Sequence, residues 1–116
     1  PEPRTQIYFY NSRGDKKTLD HPGLFNAAAW SAFMKDSREE YADARVWAEL
    51  AVNESFRQEP AYLDTLAWLE FSIGNTNKAL SLMEEAIHVY ERDGQANYAK
   101  KYTKRFQAMQ EGRRAD

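Results

Sequence analysis

The chain has 116 residues, a length that suits a single domain with its own hydrophobic core. Its aromatic content of 14% argues against disorder, and no apolar run reaches the roughly 18 residues that a membrane span needs. The absence of cysteine excludes disulfide frameworks and thiolate metal sites, although it does not fix the compartment.

The small net charge of −2 conceals a separation of charge along the chain. Residues 25–94 carry six basic and thirteen acidic side chains, a net charge of −7, whereas residues 95–116 carry a net charge of +4. An acidic body followed by a basic last segment can steer charged partners, although solvated helix faces explain the same pattern.

Residues 1–21 do not show a helical pattern and are predicted to form an extended, β-like arm. The run Gln6–Tyr10 is rich in aromatic and β-branched residues, as strands are, and a polar turn around Gly14 follows it. The first helix is expected to begin after a cap at Asp20 or His21, with Pro22 in its first turn.

Five helices are predicted in the rest of the chain, over residues 22–34, 38–56, 60–73, 76–92 and 95–112. Pro60 opens the third helix, and Gly74 and Gly94 end the third and fourth, as glycine commonly does just past a helix. Small residues at helical spacing should face neighbouring helices at Ala44, Ala48 and Ala51 and again at Ala79, Met83 and Ala86.

Two parts of the chain resemble each other. Residues 25–33 align with residues 63–71, each with a small residue, a Trp and a Phe at matching positions. Trp30 and Trp68 are 38 residues apart, and Ala44 and Ala79 are 35 apart. A near-regular period of this size is typical of helical-repeat arrays, which mostly bind other molecules rather than transform them.

The second copy is similar to a tetratricopeptide repeat, of the kind that ends many bacterial members of that family. The resemblance rests on Leu63, Leu66, Ala67 and Phe71, then on Gly74 at the turn, and finally on Ala79, Met83 and Ala86. Three residues depart from the family pattern: an aromatic residue is usual in place of Glu70 and of Thr76, and Pro is usual in place of Glu91. The resemblance implies an all-α fold of antiparallel helix pairs in a right-handed superhelix, with two helical hairpins over residues 22–94 and a capping helix over 95–116. It also implies a soluble bacterial protein, of the cytoplasm, the periplasm or the secreted fraction.

The family binds peptides in a groove lined by the first helix of each pair. The groove residues that the resemblance implies here are Asn26, Trp30, Phe33, Met34, Asp64, Trp68, Phe71 and Ser72. An exposed pair of Trp residues would offer binding hot spots, whereas Trp at helical spacing is also common in cores, so both alternatives remain open for Trp30 and Trp68. Because Asp64 and Trp68 occupy positions where carboxylate-binding members carry basic or amide residues, we expect a peptide with an apolar anchor and a basic flank.

The predicted function is therefore non-catalytic binding of a peptide or partner protein, with no cofactor and no metal. Two other functions stay open: an accessory domain that positions an upstream, thioredoxin-like enzyme domain, and a self-association module that forms a homo-oligomer. The last helix offers a basic surface at Lys100, Lys101, Lys104 and Arg105, but the acidic body argues against nucleic acid or a membrane surface as its partner. Glu85 and His88 have the spacing of metal-binding bundles but lack the second copy that such sites need.

Overall fold

The computed structural model of the chain describes residues 7–10, 13, 16–19 and 22–113. Two short strands come first, β1 (Ile7–Tyr10) and β2 (Lys16–Leu19). Five helices form the body and confirm the all-α class: α1 (Pro22–Met34), α2 (Tyr41–Glu54), α3 (Pro60–Ile73), α4 (Thr76–Arg92) and α5 (Ala96–Gln110). No helix within these described ranges is both long and apolar enough to cross a membrane.

The N-terminal segment forms an antiparallel strand pair, in which Ile7 lies opposite Leu19 and Tyr10 lies opposite Lys16. Strand β2 lies beside α1. The predicted turn at Gly14 and the predicted caps at Asp20 and His21 lie outside the described residues.

The helix boundaries follow the proline and glycine signals closely, and α1, α3 and α4 have the predicted bounds. Helix α2 is shorter than predicted, because a 3₁₀ turn at Arg38–Glu40 replaces its first turn and the helix already ends at Glu54. The chain leaves α2 through two left-handed residues, Phe56 and Arg57, which have φ angles of 55° and 59°. Because Phe and Arg seldom adopt positive φ angles, the sequence does not predict that the helix ends here.

All five helices end in the same backbone motif, in which an amide donates to the carbonyl oxygen five residues earlier. A residue with a positive φ angle precedes each of these amides, and it is glycine at positions 74, 94 and 112. The other two helix ends place Asp36 and Phe56 there. The five donor–acceptor pairs are Ser37–Ala32, Arg57–Val52, Asn75–Glu70, Gln95–Tyr90 and Arg113–Ala108, at N···O distances of 2.8–3.0 Å.

Helix α1 packs against α2 and α3 packs against α4, and short connections make each pair a hairpin. The pairs meet through α2 and α3 and also through α1 and α3, while α5 packs against α4. Alanine lets these helices approach closely, and both predicted small-residue stripes are confirmed in the core. The stripe residues have no exposed surface: Ala44, Ala48, Ala51, Ala79, Met83 and Ala86.

Candidate protein-binding face

A row of four aromatic rings crosses from α1 to α3 and contains all four of the predicted groove aromatics. The ring centroids of Trp30 and Phe33 are 5.1 Å apart, and those of Phe33 and Trp68 are 6.1 Å apart. Trp68 then meets Phe71 edge to face at 5.4 Å. Such contacts add to the packing of the rings, so the row ties the first helices of the two hairpins together.

The two ends of this row differ from its middle in their exposure to solvent. Phe33 and Trp68 have no exposed surface and belong to the core, so the prediction that they line an open groove is wrong for this structure. Trp30 and Phe71 are half-buried, and Met34, one residue beyond Phe33 on α1, is 59% exposed. The sequence left open whether the two Trp residues are core or binding residues, and the structure separates them. Trp68 is a core residue, and Trp30 keeps part of its surface in water.

Asp64 is also buried, with only 4% of its surface exposed. Its carboxylate accepts a hydrogen bond from the indole nitrogen of Trp68 at 3.1 Å and forms an ion pair with Arg105 of α5. The Arg105 guanidinium in turn lies 4.9 Å from the ring centre of Tyr102. The expected free carboxylate is thus a buried ion pair that joins α3 to α5, which overturns the argument for a basic flank on the peptide.

The electrostatics around Asp64 combine opposing effects. Burial raises the pKa of the Asp64 carboxyl above its ordinary value, while Arg105, the indole of Trp68 and the nearby charge of Lys101 lower it. Burial is the largest of these effects, so the folded protein holds a proton on Asp64 more tightly than the unfolded chain does. With Asp64 paired to Arg105, Lys101 contributes a positive charge beside the aromatic row.

Besides Asp64, two polar residues were predicted for the groove, Asn26 and Ser72, and both are partly buried. The Ser72 hydroxyl donates to the carbonyl oxygen of Trp68 at 2.8 Å, so it is occupied within its own helix. Asn26 lies one helical turn before Trp30, on the same face of α1. Its side-chain oxygen is buried and accepts no hydrogen bond from any residue in the described part of the chain.

We define the first-helix face as the exposed or half-exposed residues along this row and around the ion pair: Asn26, Trp30, Met34, Phe71, Ser72, Lys101 and Arg105. It joins side chains from α1, α3 and α5 and combines apolar surface with positive charge. Of the predicted basic surface on α5, Lys100, Lys101 and Lys104 are exposed. Arg105, the fourth residue of that predicted surface, is paired with Asp64 and has 22% of its side chain exposed.

A second polar cluster, which the sequence did not predict, is centred on Glu70. Glu70 of α3 has no exposed surface, yet it accepts hydrogen bonds at 2.8 Å from Asn75 and from Arg45 of α2. The ammonium group of Lys78 on α4 also lies 2.8 Å from the same carboxylate. Glu70 therefore connects three helices, and its departure from the repeat pattern was the one signal that could have drawn attention to it.

The Glu70 cluster changes the ionisation of its members. Burial by itself would raise the pKa of Glu70, but the hydrogen bonds from Asn75, Lys78 and Arg45 together outweigh it, and the pKa lies below its ordinary value. The hydrogen bond to Glu70 also raises the pKa of Lys78. The cluster thus stays charged in the folded protein and holds α3 in place against α2 and α4.

The sequence matches no protein-family model. Comparison with curated proteins and with solved structures likewise gives no match. Within residues 7–10, 13, 16–19 and 22–113, no group of three or more His, Cys, Asp or Glu side chains is placed to hold a metal ion.

Proposed function

We propose that the chain is a protein-binding module of tetratricopeptide type, which holds a peptide or a segment of a partner protein on the first-helix face. The packing order supports this proposal: two helical hairpins stack through their neighbouring helices, their first helices α1 and α3 touch, and α5 covers the end of the second hairpin. Stacked hairpins of this kind present their first helices on a common surface. The proposal assigns binding to this surface and no reaction.

The observation that carries the proposal is the composition of the first-helix face. Trp30 and Phe71 extend an aromatic row with a fully buried middle to the surface, and Met34 adds an exposed, adaptable apolar side chain. Aromatic residues anchored in this way are typical binding hot spots, because little conformational entropy is lost when a partner covers them.

The charge beside these residues indicates the chemistry of the partner. Because Arg105 neutralises Asp64, Lys101 leaves this end of the face positive. A peptide with an apolar anchor and an acidic residue would satisfy both features.

Selection from a random peptide library tests the proposal even though the partner is unidentified. The selected peptides should share an apolar residue next to an acidic one, and the variant Trp30→Ala/Met34→Ala should bind them at least about tenfold more weakly. Val46→Ala is the matched control, because Val46 is an exposed apolar residue on α2, outside the first-helix face. Equal loss of binding in both variants, or no loss in either, would place the binding surface elsewhere.

A further inference from the structure

Phe56 combines two features that are each unfavourable in isolation. It is 83% exposed, and it adopts a left-handed backbone conformation with a φ angle of 55°. L-residues with a side chain are strained in this conformation, and glycine is not. Three of the other four helix ends place glycine at the equivalent position, so the same turn is built without strain elsewhere in this chain.

The turn that carries Phe56 is fixed by several hydrogen bonds. Arg57 forms a two-pronged ion pair with Glu85 of α4, with both N···O distances at 2.7 Å. The side-chain amide of Gln58 donates to the carbonyl oxygen of Phe56 at 3.1 Å, and the Arg57 amide donates to Val52 at 2.9 Å. The backbone that carries Phe56 is therefore held in place, and a fixed backbone lowers the entropy lost when the side chain binds.

The surroundings of Phe56 are acidic. Glu54 and Glu59 flank it in the sequence, and the adjacent cation, Arg57, is already paired with Glu85. A surface that receives Phe56 should therefore combine apolar walls with basic side chains.

The same molecule carries such a surface on α5. A cleft of about 650 Å³ lies between the end of α4 and α5, with Ala96, Ala99 and Thr103 among its lining residues. Lys100 and Lys104 also line it, both exposed, while Glu91 of α4 is the acidic residue among those that line it. Phe56 does not fill the cleft of its own chain, because most of its surface is in water.

We propose that Phe56 of one copy inserts into the α4–α5 cleft of a second copy, where Glu54 and Glu59 meet Lys100 and Lys104. Each copy carries both halves of this contact, and the proposed arrangement makes the contact twice about a twofold axis, which closes a dimer rather than an open chain of copies. The separation of charge between an acidic body and a basic last helix favours this pairing over the pairing of like surfaces. None of these residues belongs to the first-helix face, so the dimer and the proposed peptide binding are tested independently of each other.

Sedimentation equilibrium of the purified chain over a range of concentrations at low salt tests this inference. The wild-type protein should form dimers, and Phe56→Gly should weaken the dimer by about tenfold or more. The same variant should raise the melting temperature at concentrations where the protein is monomeric, because glycine relieves the left-handed strain. Asp36→Gly is the matched control, since it changes the other helix end without glycine and should leave the dimer intact.

A charge exchange distinguishes this contact from any other association. Lys100→Glu/Lys104→Glu and Glu54→Lys/Glu59→Lys should each weaken the dimer, and the chain that carries all four changes should recover it. A wild-type chain that stays monomeric overturns the inference, as does a dimer that is insensitive to Phe56→Gly or equally sensitive to Asp36→Gly. Failure of the fourfold variant to recover the dimer also overturns it, and growth of the assembly beyond two chains overturns the closed twofold arrangement.

Discussion

Glu70→Gln should lower the free energy of unfolding by about 1 to 2 kcal/mol, because it removes the negative charge that joins three helices. The magnitude follows from the contacts of the carboxylate. Three donors lie 2.8 Å from it, but the Arg45 and Lys78 side chains are 39% and 45% exposed, so water compensates part of their loss. Glu70→Ala should be more damaging, at about 3 kcal/mol, since it also leaves a cavity and orphans Asn75.

The pH dependence of stability provides a second readout of the same cluster. The pKa of Glu70 is lower in the folded protein than its ordinary value of 4.5. Its ionised form therefore contributes stability that is fully present above pH 4.5 and is lost as the pH falls through the folded-state pKa. The difference in stability between wild type and Glu70→Gln should consequently shrink on acidification.

Urea unfolding followed by circular dichroism, at neutral pH and at several acidic pH values, measures both effects. Glu85→Gln is the matched control, because it makes the same chemical change in the Arg57 ion pair, whose side chains are 46% and 36% exposed. It should cost no more than about 0.5 kcal/mol despite its shorter contact distances. If both variants lose the same stability, or if the Glu70→Gln difference does not change with pH, Glu70 does not hold the helices together as described.

Three further perturbations test the core and the ion pair. Trp68→Ala should lower stability by about 3 to 5 kcal/mol, since a fully buried side chain is lost, whereas Trp30→Ala should cost much less; near-equal losses in thermal melts would contradict the placement of Trp68 in the core. Ala67→Leu and Ala79→Leu should each lower the free energy of unfolding by about 1 to 3 kcal/mol, because the larger side chain overpacks a buried position. Ala42→Leu is the control, since Ala42 is exposed and its substitution should leave stability unchanged. Unchanged melting of both buried variants would refute the helix packing. Asp64 should show the opposite pH dependence to Glu70, because its folded-state pKa is raised. Relative to Asp64→Asn, the wild-type protein should lose stability as the pH rises above 3.8 through the folded-state pKa. A gain in stability over that range would exclude the raised pKa.

The sequence predicted the helices well because their limits depend on local chemistry. Pro22 and Pro60 suit the first turn of a helix, and Gly74 and Gly94 adopt positive φ angles without strain, so each boundary is encoded by one or two adjacent residues. The early end of α2 was missed for the same reason, since Phe56 occupies a position that normally carries glycine. The small-residue stripes were predictable from helical periodicity alone.

The candidate site was only partly predictable, because burial depends on which helices meet. Trp30 and Trp68 occupy equivalent positions in the two copies, yet Trp68 is covered completely and Trp30 is not. Similarly, the ion pair between Asp64 and Arg105 joins residues 41 positions apart, and no local sequence pattern predicts it. Glu70 was recognised as a departure from the repeat pattern, but its partners on α2 and α4 became evident only from the packed structure.

Mapping of amide chemical shifts on titration with a library-selected peptide tests the binding proposal most directly. If the first-helix face binds the peptide, the largest shifts should cluster at Asn26, Trp30, Met34, Phe71 and Lys101, and residues near Val46 on α2 should remain unchanged. A set of shifts confined to α2 and the outer side of α4, with Trp30 and Phe71 unaffected, would contradict the assignment of binding to this face.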